Sequence, residues 1–180
     1  LKHTNVDVNV VNAGGDTILH LMAKRGHVGE LEKLIDTYDV DVDLGNKQGD
    51  TILHLLMSHC DDEDVDWIRC LIVEKNATRD VKNKNGDTIL HAAALHGNWK
   101  ACDYLLGPTL VYPKFELWCE NNQGERPLHA AAKGKKPGSV ATVIHLCQTH
   151  KANPEAQDNA GRTPLMVASV HRNNDIVKAL

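Results

Sequence analysis

Gly86-Asp87-Thr88-Ile89-Leu90-His91 is the stretch on which the reading of this chain turns. It repeats Gly15-Asp16-Thr17-Ile18-Leu19-His20 and Gly49-Asp50-Thr51-Ile52-Leu53-His54 without a change. Looser copies follow at Gly124-Glu125-Arg126-Pro127-Leu128-His129 and Gly161-Arg162-Thr163-Pro164-Leu165-Met166. From Leu19 through Leu53, Leu90 and Leu128 to Leu165, the spacings are 34, 37, 38 and 37 residues. Self-similarity at such a period signals an array of small structural units.

Each copy is a loop-to-helix transition. The Asn46–Gly49, Asn83–Gly86 and Asn121–Gly124 stretches that precede it are turn chemistry, with a glycine available for positive φ. Thr17, Thr51 and Thr88 then stand where a helix N-cap is wanted, and Pro127 and Pro164 where a first helical residue needs no N–H. A short helix over Leu90–His96 should end at Gly97, as its counterpart ends at Gly26. A second helix is marked by 3.6-period apolar positions: Leu31, Leu34 and Ile35 in one unit, Val143, Ile144 and Cys147 in another. Helices this short are marginal alone and must bury their apolar faces against neighbours. The pattern predicts an all-α solenoid of stacked helix-turn-helix units.

The helix start with Thr-Pro-Leu-His character, the Ala-Ala pair inside the first helix and the closing loop Lys151–Asp158 resemble the ankyrin repeat. The resemblance covers nearly the whole chain. It implies an ankyrin α-solenoid with short β-turn fingers, and a non-catalytic scaffold that holds another protein on its concave face and finger tips. Residues 1–11 read as the tail of a preceding repeat, 12–45, 46–82, 83–120 and 121–157 as four repeats, and 158–180 as an incomplete fifth. A chain that starts at Leu1 and stops at Leu180 inside a second helix reads as part of something longer. A regulatory region of a larger enzyme or channel, acting by intramolecular contact, and a pathogen effector's host-binding module are therefore alternatives.

Three insertions stretch the period. Cys60–Asp66 carries an acidic run, Lys135–Gly138 is basic, and the 107–118 loop bears Tyr112 and Trp118. The stack does not require them, so they are places to look for specificity; neutral loop growth is the alternative.

Composition narrows the function classes. Apolar residues make up 42% of the 180 and aromatic residues 4%, which fits a folded chain whose thin helices pack through Leu, Ile, Val and Ala. A net charge of −4 argues against general nucleic-acid binding. Five scattered cysteines without a CxxC predict reduced thiols in a cytoplasmic or nuclear setting, and no membrane-spanning run is present. The protein is expected to be monomeric. His20, His54, His91 and His129 are the repeat's own histidine, which the resemblance implies bonds locally to shape the turn. Stacked helices would hold these rings about 8–10 Å apart, too far to share a zinc ion. Cys147 and His150, with His145 nearby, suggest ligands but no second cluster completes them. The alternating aspartates at 39–43 and 62–66 lack the glycine and the glutamate of a calcium loop. No P-loop, GxGxxG or GxSxG occurs. No cofactor, metal or catalytic activity is expected.

Candidate partner-binding residues follow from the resemblance. The tip position after the turn glycine holds Asp16, Asp50, Asp87 and Glu125, then Arg162. Four acids in file would favour a basic segment on the partner, although an acid at a helix start also serves the helix dipole. The late first-helix positions give Lys24, Arg25, His59, Leu95, His96, Lys133 and His171, and the fingers add Lys47 and Lys84.

Overall fold

The computed structural model describes residues 7–58, 65–107 and 117–180. Among them are ten α-helices and no strand, so the molecule is the all-helical solenoid that the periodicity predicts. The helices come in pairs, a short inner one and an outer one: α1 (Ile18–Ala23) with α2 (Val28–Thr37), α3 (Ile52–Leu56) with α4 (Val65–Arg69), and α5 (Ile89–Leu95) with α6 (Trp99–Leu106). Two further pairs are α7 (Pro127–Lys133) with α8 (Ser139–Gln148), and α9 (Pro164–Val170) with α10 (Asn174–Ala179). α4 runs on into a π-helical turn at Cys70–Glu74, which sequence periodicity does not foretell.

One continuous core runs between the two layers. The inner helices supply fully buried Leu19, Leu53, Leu90 and Leu128 with alanines 93, 94, 131 and 132, and the outer helices supply Leu31, Leu71, Leu105 and Leu146. Alanine at the inner contacts lets the backbones approach closely, which is why the chain manages with so few aromatic residues. The apolar face of α8 departs from expectation. Val143, Leu146 and Thr142 are buried, whereas Ile144 is exposed: it lies about 100° around the helix from Val143 on the side away from Thr142 and Leu146, which stacking turns outward.

Thr17, Thr51, Thr88 and Thr163 cap the inner helices, with Arg126 in that place before Pro127. The fingers before them share one geometry. In the second, the Asn46 N–H donates to the Asp50 carbonyl, and Asn46 Oδ1 accepts from the N–H groups of Gln48 and Asp50 at 2.9 and 3.0 Å. Asn12, Asn83, Asn121 and Asp158 do the same in theirs. Successive fingers are tied by one backbone bond each: Lys47 N–H to Gly14, Lys84 to Gln48, Asn122 to Asn85 and Asn159 to Gln123, all at 2.8–3.0 Å. These are β-turn fingers joined edge to edge without becoming a sheet. Gly86 shows how tightly they meet: its φ is +79°, and a Cβ there would lie 2.5 Å from Asn122 Oδ1.

The basic insertion has a packing role. Its Gly138, with Ser139 at the start of α8, rests against the Gly97 turn of the preceding unit, and Lys136 donates to the Ser58 carbonyl two units away. The acidic run at 61–64 and most of the 107–118 loop, with Tyr112, lie outside the described residues.

Candidate functional site

The repeat histidines do more than shape their own turn. In His20, His54 and His91, Nδ1 accepts the N–H of the capping threonine at 3.2–3.3 Å and lies 2.8–3.0 Å from its hydroxyl. A nitrogen that accepts carries no proton, so the proton is on Nε2. That Nε2–H donates across the unit boundary, to the carbonyls of Asp50, Asp87 and Glu125 at 2.9–3.1 Å; His129 does the same to Arg162. Burial pushes the imidazoles of His54, His91 and His129 below the ordinary histidine value, which fixes them in this neutral form. The local bonds fit the expectation; the bond to the next finger is the part that sequence reasoning missed.

The finger acids form a second tie. Asn46 Nδ2 donates to Asp16 at 3.0 Å, and Asn83 and Asn121 donate likewise to Asp50 and Asp87 at 2.8 Å. Here the repeats stop being equivalent. Asp16 is buried and holds Lys24 Nζ at 2.7 Å; Glu125 is buried and holds Lys133 Nζ at 2.5 Å. Burial raises both carboxyls, yet the hydrogen bonds from the lysine and the neighbouring asparagine outweigh it and keep them below their ordinary values. Each lysine stands eight residues after its acid. The corresponding residues in the two middle repeats are Ser58 and Leu95. Asp50 and Asp87, both half-buried, have no ion pair among the described residues. The file of four acids therefore reduces to two that lack a cation.

Those two open into a groove pocket of about 380 Å³ between the fingers and α3, α5 and α7. Of the candidates, Asp50, Asp87, Leu95, His96, Glu125 and Lys133 line it. His54, Ser58, Asn83 and Asn121 line it too, placed there by the fingers and the inner-helix faces. The other candidates lie apart from it. Lys24 is engaged with Asp16, and Arg162 bridges Asp158 at 2.7 Å and Glu125 at 3.6 Å. Arg25, Lys47 and Lys84 are exposed, and His171 is half-buried at the end of α9. Trp118 is 47% exposed but turns to Arg126, whose guanidinium lies 5.5 Å from its ring. His59 and Tyr112 fall outside the described residues.

The profile described as Ankyrin repeats (3 copies) matches residues 40–111, 56–158 and 108–180, and that described as Ankyrin repeats (many copies) matches 1–56. The chain belongs to the ankyrin-repeat family. Ankyrin repeats are generally protein-interaction modules, typically without catalytic activity of their own. A search of curated proteins gave no match. No helix among the described residues is long and apolar enough to cross a membrane. Burial raises the thiols of Cys70, Cys102 and Cys147, leaving them protonated and poorly nucleophilic.

Proposed function

We propose that this ankyrin array is a non-catalytic protein-binding module, and that its concave groove over the three middle units takes a basic segment of a partner. One observation carries the reading. The outer two of four equivalent finger acids, Asp16 and Glu125, are neutralised within the chain by Lys24 and Lys133, while Asp50 and Asp87 face the groove pocket with no ion pair among the described residues. A carboxylate in a concave, partly desolvated site attracts a cation more strongly than one on an open surface. A lysine or arginine of the partner would occupy the place that Lys24 and Lys133 fill elsewhere, with Leu95 and Ala92 against its methylene stem.

Ser58→Lys together with Leu95→Lys tests this by supplying the missing cations in cis. A lysine-rich peptide, titrated by fluorescence anisotropy, should bind the native chain in a salt-dependent way, and the double variant at least about tenfold more weakly, roughly 1.4 kcal/mol. Equal binding to both proteins would contradict the groove assignment.

A further inference from the structure

The outer layer holds a cluster that neither the family nor the groove accounts for. Asp103 is on α6, His145 is on α8, and His150 follows the end of α8, so two adjacent units contribute to it. Asp103 Oδ1 lies 2.9 Å from His145 Nε2 and 3.0 Å from His150 Nε2, and the three atoms are all within 4.8 Å of one another. The sequence pairs His145 and His150 with Cys147; the fold replaces the cysteine, which turns partly toward the core, with a carboxylate from 42 residues upstream of His145. None of the three lines the groove pocket.

We propose that Asp103, His145 and His150 form a zinc site that staples α6 to α8, with water in the fourth position. Two imidazoles and a carboxylate are a donor set that suits Zn²⁺, and three protein ligands with one open place is an arrangement zinc commonly adopts. With metal–ligand bonds of about 2.0–2.2 Å, a tetrahedral site puts its ligand atoms roughly 3.3–3.5 Å apart. The Asp103–His distances need to open by only about 0.4 Å to meet that. The rings are already held for it. His145 packs on Trp99 and on His150, with centroids at 5.1 and 5.2 Å, and the side-chain exposures of His145 and His150 are 22% and 14%. His145 Nδ1 lies 3.3 Å from Thr149 Oγ1. Coordination through Nε2 moves each ring proton to Nδ1, where His145 then donates to the Thr149 hydroxyl, the outer bond that orients a ligating imidazole. Asp103, with half its side chain exposed, opens the fourth position to solvent.

The test is titration of the untagged 180-residue chain with ZnCl₂ by calorimetry, and with CoCl₂ by visible absorption. One saturable zinc per chain is expected, with a four-coordinate Co²⁺ spectrum and a higher midpoint of thermal unfolding. His145→Gln/His150→Gln and Asp103→Asn should each lower zinc affinity at least about tenfold. Circular dichroism confirms that each variant is folded. A native chain with no saturable site would overturn the proposal, a result that no variant's misfolding can obscure. So would zinc binding that is unchanged in the folded variants.

Discussion

At the scale of single residues, the fold is held by side chains that serve two units at once. Asn121 is buried; it accepts from Gln123 and Glu125 inside its finger and donates to Asp87 in the preceding one. Asn121→Ala leaves those groups without partners, at about 1–3 kcal/mol for each that stays buried. Thermal unfolding should show it as a fall of roughly 2–4 °C per kcal/mol. Asn122→Ala, which removes one exposed bond to the Lys84 carbonyl, should shift the midpoint far less. The histidines add a pH term. Because burial lowers His54, His91 and His129 below the value of about 6.5 that they have when unfolded, the unfolded chain binds more protons in that range. Their stabilisation is complete above about pH 6.5 and is lost as pH falls below it toward their folded values. Urea midpoints should therefore drop between pH 7.5 and pH 5.5. His54→Gln/His91→Gln/His129→Gln should flatten that dependence while lowering stability throughout.

At the scale of elements, close approach decides what is tolerated. Gly86 combines positive φ with contact to Asn122, so Gly86→Ala meets both strain and a clash between fingers. A loss of about 1–3 kcal/mol in denaturant unfolding is expected, against less than about 0.5 kcal/mol for Gly29→Ala, whose added methyl meets nothing within 4 Å. The helices, their caps and the turn glycines were legible in the sequence because each depends on chemistry within six residues: Thr88 before Ile89, Gly97 after His96. Contacts set by stacking were not. No local pattern says that His91 Nε2 reaches the Glu125 carbonyl, that Ile144 faces solvent, or that Asp103 meets His145 and His150. The Asp16–Lys24 and Glu125–Lys133 spacing was present in the sequence. Comparing position by position along the repeat, with Ser58 and Leu95 in the lysine's place, is the signal that would have singled out Asp50 and Asp87.

At the scale of the whole molecule, the ties leave the two faces with different chemistry. The fingers and inner helices form a groove whose ends are neutralised and whose middle is acidic; the outer layer carries the Asp103–His145–His150 cluster. Asp50→Asn with Asp87→Asn keeps an oxygen to accept from Asn83 and Asn121 while removing the charge, so the fold should survive with binding reduced. Affinity for a lysine-rich peptide should fall about 5–30-fold, or 1–2 kcal/mol, and its salt dependence should flatten. The most direct test of the groove is amide chemical-shift mapping during titration of the ¹⁵N-labelled chain with that peptide. Shifts concentrated at Asp50, Ser58, Asp87 and Leu95, and absent when the Ser58→Lys/Leu95→Lys variant is titrated, are the predicted result; shifts confined to the outer helices, or equal in both proteins, would contradict it.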